Sequence, residues 1–200
     1  MLTLKRIAVT GSIASGKSTV CQLFKQRGAV VVSADSLLHH VFTADTRVGK
    51  TIVSLFGENV ITEGTINRTL IAEAVRAHPP LLDRLEAICH PYVNQEIQRE
   101  YQEACQKKPD GLFVVEIPLL LESKFPLADW FDTIIGVVAD EQKAKERYVQ
   151  HGGTEEQFLF RRERQLKTEE LMRRADCVLF NNGTLEQLAA EVNKFLYAFR

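Results

Sequence analysis

Eight residues near the N-terminus, Gly11-Ser12-Ile13-Ala14-Ser15-Gly16-Lys17-Ser18, form a complete GxxxxGK[ST]. Each fixed position has a chemical task. Glycines let backbone N–H groups turn inward around a polyphosphate, and a helix opening at Lys17 adds the positive end of its dipole. The Lys17 ammonium reaches β- and γ-phosphates, and the Ser18 hydroxyl supplies a magnesium ligand. The residues expected to hold a nucleoside triphosphate are Gly11, Ala14, Ser15, Gly16, Lys17, Ser18 and Thr19, with Ser18 on the metal. Asp35, in Val32-Ser33-Ala34-Asp35, is a second candidate. A carboxylate just past a parallel strand faces the side on which the phosphate loop lies. There it can orient an attacking hydroxyl or accept its proton. An N-cap for a helix starting at Ser36 is the structural alternative.

Arg147 and a basic zone from Gln150 to Arg174, expected to be irregular, supply a third kind of chemistry. The zone carries Arg161, Arg162, Arg164, Lys167, Arg173 and Arg174. Guanidinium groups fork onto phosphate oxygens bidentately. The same arginines can instead pair with Glu163, Glu169 and Glu170 on a solvated helix face.

These residues need a scaffold, and the apolar pattern describes one. Short runs rich in Val, Ile and Phe at Arg6–Thr10, Ala29–Ser33, Leu112–Ile117, Thr133–Val138 and Cys177–Phe180 read as strands buried on both faces. Helical patterns at Lys17–Gln26, Asp140–Gln150 and Leu185–Tyr197 alternate with them. The alternation predicts a three-layer α/β fold around a five-stranded parallel sheet. The interval between Ser33 and Leu112 breaks it, holding helical patterns at Asp35–Phe42, Val48–Phe56, Arg68–Ala77 and Pro80–Gln106 and no clear strand. A crossover needs only about a dozen residues. The excess therefore reads as a helical insertion within a single domain. His90-Pro91 is expected to interrupt the last of these helices, because the residue before proline avoids the α region.

Composition narrows the function classes. The 200 residues carry 25 basic and 26 acidic side chains, a net charge of -1, so no global field favours nucleic acid. No run approaches the roughly 20 apolar residues of a membrane span, and the N-terminal residues lack a signal-peptide core. Cys21, Cys89, Cys105 and Cys177 have no CxxC spacing and are expected to be reduced, mostly buried thiols of a cytoplasmic protein. His39 and His40 are adjacent, face different sides of a helix, and are expected at the surface. An Asn-Lys-x-Asp guanine-recognition motif is missing, since the sole Asn-Lys, Asn193-Lys194, is followed by Phe195-Leu196.

A small P-loop chain with a helical insertion and a late basic zone resembles the nucleoside-monophosphate-kinase group. In that group an insertion grips the acceptor and a mobile lid brings arginines to the transferring phosphoryl. More specifically, the chain resembles the dephospho-CoA kinase family. The match runs through Thr10–Val20, Ala34-Asp35, Ile66-Asn67-Arg68, Leu85-Glu86, His90-Pro91, Val93 and Glu116-Ile117-Pro118-Leu119-Leu120-Leu121-Glu122. It continues through Arg147, Arg161, Gln165, Ala175-Asp176 and Asn182-Gly183.

The resemblance implies a P-loop kinase that transfers phosphate from ATP, with Mg2+, to the ribose 3′-hydroxyl of dephospho-CoA, completing coenzyme A. It implies an acceptor insertion over 36–110 and a lid over 147–167. Lys17, Asp35, Arg147 and Arg161 would be catalytic. Arg68, His90, Pro118 and Leu119 would join Asp35 on the acceptor, and Asn182 would lie in the adenine loop. Arg68 could equally cap the helix it opens. Glu116 could act through water on magnesium, and Glu122 could hold the turn after Pro118. The partners implied are small molecules bound by a monomer, with no nucleic acid or membrane. A kinase for another acceptor, such as a nucleoside monophosphate, and an ATP-binding switch without an acceptor are the alternatives. Ser33, Ser12, Ala14, Asn67 and Gln150 depart from the family's usual Asp, Gly, Gly, Asp and Arg.

Overall fold

The computed structural model describes residues 4–108, 110–123 and 127–199, with the His40 side chain outside the described set. The sheet is built from β1 (Lys5–Gly11), β2 (Val30–Ser33), β5 (Leu112–Glu116), β6 (Thr133–Val138) and β7 (Cys177–Phe180). Their order is β2-β5-β1-β6-β7, and every pairing is parallel. Residues of alternate parity serve opposite faces. On one face Ile7, Val9, Val114, Ile135, Val137 and Leu179 meet Val20 and Phe24 of α1 (Lys17–Gln26) and Leu188 and Val192 of α9 (Leu185–Ala198). On the other, Phe113 packs edge-to-face against Tyr101 and Trp130. Helices on both faces explain why these strands read as continuous apolar runs.

The chain divides into two compact units, Met1–Ser33 with Tyr101–Arg200, and Ala34–Glu100. The second contains α2 (Ala34–His39), α3 (Arg47–Phe56), α4 (Arg68–Ala77) and most of α5 (Pro80–Lys107). Its core is Val41, Phe42, Ile52, Val60, Ile66, Ile71 and Cys89. It also holds a hairpin, β3 (Ile61–Thr62) paired antiparallel with β4 (Thr65–Ile66), where the sequence pattern showed no strand. Glu63 and Gly64 lie at φ 51° and 76°, the two positive values that a tight I′ turn requires. The Ile-Thr-Glu-Gly-Thr-Ile run carried that signal, but two-residue strands are too short to show alternation.

Three helical boundaries also differ from the sequence reading. The expected helix Asp35–Phe42 ends at His39 and passes into a 3-10 turn over His40–Phe42. His90-Pro91 does not interrupt α5, which runs from Pro80 to Lys107 with the proline inside. Pro91 cannot donate to Ala87, but many intact turns flank it, and Cys89 and Ile97 are buried on either side. The zone from Gln150 to Arg174 is helical where an irregular stretch was expected. After α6 (Glu141–Gln150) it forms α7 (Glu155–Arg162) and α8 (Thr168–Arg174). A Thr154/Gln157 capping box starts α7, a signal visible in Thr-x-x-Gln.

Cys21 and Cys89 are buried, whereas Cys105 and Cys177 are partly exposed, and all four are free thiols. Burial pushes the Cys89 thiol up to about 11 and raises Cys21 further still. At pH 8 both are protonated, and only the thiolate reacts. In a timed thiol titration of the folded protein, Cys105 is expected to react first, with Cys21 and Cys89 following only on unfolding.

Candidate active site

β1 ends at Gly11, and Gly11 to Gly16 form a loop that runs straight into α1. Gly11 is indispensable at the strand end, because a Cβ there would lie 2.2 Å from the Val137 carbonyl oxygen. Ala14 has φ 52°, a left-handed value that explains why glycine is common at this point of the motif. The Lys17 ammonium donates to the carbonyls of Gly11 (3.1 Å) and Ser12 (2.9 Å), across the mouth of the loop. The Ser18 hydroxyl donates to Glu116 Oε1 at 2.7 Å. Glu116 is placed by the sheet itself, in register with Val9 of β1 and Ser33 of β2.

The Ser18–Glu116 pair is all oxygen, which suits a hard cation. Among the described residues no group of three or more His, Cys, Asp or Glu could hold a metal ion. Magnesium is such a hard cation, and it usually takes one or two protein ligands and completes its shell with water and phosphate oxygens.

A cavity of about 500 Å³ opens beside the loop, lined by Ile13, Ala14, Gly16 to Thr19, Glu116, Arg147, Tyr148, Asn181 and Gly183 among others. It lies in the first unit. Arg147, half-buried on α6, sends Nη2 to the Asn181 carbonyl at 2.9 Å, while its buried Nη1 has no hydrogen-bond partner among the described residues. A guanidinium anchored on one side and unsatisfied on the other is poised for an anion. Arg161, on α7, is exposed and lies 5.9 Å above the Tyr148 ring. The structure therefore assembles Ala14, Gly16, Lys17, Ser18, Thr19 and Arg147 around one opening, with the Gly11 carbonyl bonded to Lys17 and Arg161 on a ring that lines the cavity. Ser15, also in the loop, is fully buried, and its carbonyl is held from β7's end.

That hold comes from Asn181, which sequence reasoning passed over in favour of Asn182. Asn181 is 8% exposed, and its Nδ2 donates to the Ser15 carbonyl at 2.8 Å. Asn182 instead accepts from the Asp140 N–H through its side chain, and its carbonyl accepts from the Lys143 ammonium. Both sit in a turn-forming Asn-Asn-Gly, so only the strand register decides which one points inward.

Asn181 also explains Gly16. Its φ is 98°, and an added Cβ would stand 2.1 Å from Asn181 Nδ2. Gly16→Ala is expected to weaken ATP binding at least about tenfold through backbone strain and displacement of that amide. Calorimetric titration with ATP checks it.

The other expected residues fall elsewhere. Pro118 and Leu119 follow β5 in the first unit, with Leu119 at φ 59°. Asp35, Arg68 and His90 belong to the second. Asp35 is exposed within the first turn of α2, not its N-cap, because the helix already begins at Ala34. Arg68 does not cap α4. Asn67 does, accepting from the Thr69 and Leu70 N–H groups. Arg68 lies over the Phe42 ring at 5.0 Å and meets His39 Nδ1 at 3.0 Å. His39 is exposed, His40's side chain lies outside the described residues, and His90 is half-buried in α5.

Glu122 holds not its own turn but a distant one, accepting from the Leu166 N–H at 2.9 Å. The basic zone is partly paired, with Arg162 near Glu141 and Arg173 bonded to Glu170. A larger cavity of about 950 Å³ lies where the strands begin, lined by Lys5, Arg27 and Lys108 among others. None of the motif residues reaches it. No helix among the described residues is long and apolar enough to cross a membrane.

The dephospho-CoA kinase family model matches residues 5–187. The chain belongs to the dephospho-CoA kinase family. A dephospho-CoA kinase of Protochlamydia amoebophila is 42% identical over 190 residues, covering 94% of this chain and 93% of the relative. The solved structure of TT1252 from Thermus thermophilus superposes with a TM-score of 0.83 at 30% identity, covering 99% of both chains. A dephospho-CoA kinase structure from Campylobacter jejuni gives 0.71 at 25% identity, covering 97% of this chain and 96% of that one. The fold is thus that of a P-loop kinase, with the phosphate loop at the carboxyl end of β1.

Proposed function

We propose that this chain transfers the γ-phosphoryl of ATP to the ribose 3′-hydroxyl of dephospho-CoA, giving coenzyme A and ADP. Family membership over nearly the whole chain is the observation that carries this reading. The loop amides and Lys17 would hold the phosphates. Ser18 directly, and Glu116 through it or through water, would hold magnesium, which when bound neutralises charge on the phosphate oxygens. Phosphoryl transfer asks the protein chiefly for position and charge. Asp35 orients the attacking hydroxyl and takes its proton. Arg147, with one arm fixed on Asn181 and one unsatisfied, receives phosphate oxygens, and Arg161 joins it as charge builds up. Asn181 to Gly183 border the base.

In this reading residues 36–110 form the acceptor insertion and contribute Arg68 and His90, Pro118 and Leu119 join them on the acceptor from beyond it, and residues 147–167 form a lid. Lid closure would exclude water, the competing acceptor. All the groups invoked come from one chain, so a monomer suffices, and the setting is the cytoplasm.

The test is ATP turnover with magnesium, with and without dephospho-CoA, following ADP release and the acceptor's mass. A gain of one phosphate on dephospho-CoA is expected. Turnover stimulated only by a different acceptor would sink the substrate assignment while leaving the kinase.

A further inference from the structure

The peptide unit joining Ser12 to Ile13 is gripped from both sides. Its carbonyl, on Ser12, accepts from the Lys17 ammonium at 2.9 Å and from the Ser15 N–H at 3.2 Å. Its N–H, on Ile13, donates to Gln165 Oε1 at 2.8 Å. These residues are 152 positions apart, so the contact is not a by-product of local turn geometry. Gln165 is itself held. The next N–H, of Leu166, donates to Glu122 Oε1 at 2.9 Å, and the Leu166 carbonyl accepts from Arg162 Nη1 at 2.9 Å. The Gln165 N–H donates to the Arg162 carbonyl at 3.0 Å. Ile13's side chain is anchored to the same segment, packing with Phe158 of α7, which is only 1% exposed.

We infer that Gln165 is a positioning residue for the nucleotide, fixing the Ser12–Ile13 peptide so that its carbonyl faces Lys17, and that Glu122 holds Gln165 in place. A peptide plane can rotate about its flanking bonds, and rotation here would aim the Ser12 carbonyl away from the ammonium. When Lys17 moves to phosphate, its own grip on that carbonyl is released. Gln165 then holds the plane from the opposite side and keeps a carbonyl dipole from swinging toward the anion. An alanine at 165 would also leave a half-buried amide without its acceptor, a loss that commonly exceeds that of an exposed hydrogen bond. Arg161 and Arg162 end the helix just upstream, so the brace ties the placement of that basic segment to the shape of the phosphate loop. This inference rests on the loop being the ATP site.

Four variants test it: Gln165→Ala, Glu122→Ala, Glu122→Gln and the double alanine. ATP affinity is read by calorimetry, and KM for ATP and for dephospho-CoA by turnover. Gln165→Ala and Glu122→Ala are each expected to weaken ATP about tenfold, with KM for dephospho-CoA changed less than about twofold. Glu122→Gln keeps an acceptor oxygen for Leu166 and is expected to behave as wild type. The double variant is expected to be no weaker than Gln165→Ala, because the two act in series.

A purely structural role predicts instead a lowered thermal midpoint and equal shifts for both substrates, which would overturn the inference. An unchanged ATP affinity in Gln165→Ala would overturn it as well. If Gln165→Ala does not fold, the Glu122 pair decides, since failure of Glu122→Gln to restore ATP affinity lost in Glu122→Ala counts against it. Wild type that binds ATP but ignores dephospho-CoA would overturn the proposed reaction alone, and calorimetry would still judge Gln165.

Discussion

Lys17→Ala is expected to lower kcat for phosphoryl transfer to dephospho-CoA by about a thousandfold or more, on the order of 4 kcal/mol of transition-state stabilisation. The size follows from what the side chain has to do. Its ammonium spans the loop mouth, resting on the carbonyls of Gly11 and Ser12, within reach of any phosphate seated on the loop amides. Those resting bonds contribute only about 1 kcal/mol each to folding. Stability should therefore drop little while transfer nearly stops. ADP release at saturating substrates, paired with a thermal midpoint, separates the two. A loss of activity that merely tracks a large fall in midpoint would mean that Lys17 is a structural brace. Lys17→Arg is not expected to rescue, because a planar fork does not fit where a compact ammonium sits on two carbonyls.

The phosphate loop and the sheet that carries it were legible in the sequence. The phosphate loop is read from its spacing because backbone geometry forces glycine at Gly11 and Gly16 and the chemistry forces lysine and serine after them. The five sheet strands were legible because burial on both faces leaves unbroken apolar runs, and Thr133–Val138 is buried throughout. What stayed hidden depends on contacts between residues far apart in sequence. The Asn181–Ser15 bond spans 166 positions and the Gln165–Ile13 bond 152. Neither partner's type announces the other, since an asparagine in Asn-Asn-Gly and a glutamine in a basic stretch both have adequate local explanations. Pro91 misled for the opposite reason. Its local rule is sound, but burial of Cys89 and Ile97 on either side outweighs one missing hydrogen bond in a helix of 28 residues.

The asparagine and the glutamine that matter here share a feature. Each spends a side-chain amide on the backbone of the phosphate loop: Asn181 donates to the Ser15 carbonyl, and Gln165 accepts from the Ile13 N–H. The loop is therefore held at two points by segments that come late in the chain, one after β7 and one after α7. A loop that must present several N–H groups to an anion cannot satisfy itself internally, because its amides have to stay free for the ligand. External braces resolve that conflict. They fix the backbone from outside the loop, which is preorganisation in the sense that matters for charge stabilisation.

Asp35→Asn is expected to slow kcat by about a hundredfold to a thousandfold, with KM for ATP and for dephospho-CoA moving only a few-fold. The chain leaves β2 at Ser33, in register with Glu116, and reaches Asp35 two residues later. Its carboxylate is exposed and has no hydrogen-bonded or ionic partner among the described residues. The rival explanation is structural: a carboxylate in the first turn of α2 favours the positive end of that short helix. Such a charge is typically worth about 0.3–1 kcal/mol of stability and nothing in rate. Asparagine keeps the size and the hydrogen-bonding reach of aspartate but cannot accept a proton. A dipole role therefore predicts a midpoint lowered by a few degrees and an unchanged kcat, whereas a proton-accepting role predicts the reverse. Asp35→Glu sharpens the distinction. It preserves the charge at the helix start and with it the stability, yet moves the carboxylate by about one carbon–carbon bond, and misplacement of about 1 Å can cost on the order of a hundredfold in rate. If Asp35→Asn retains full kcat, the attacking hydroxyl is oriented by another group.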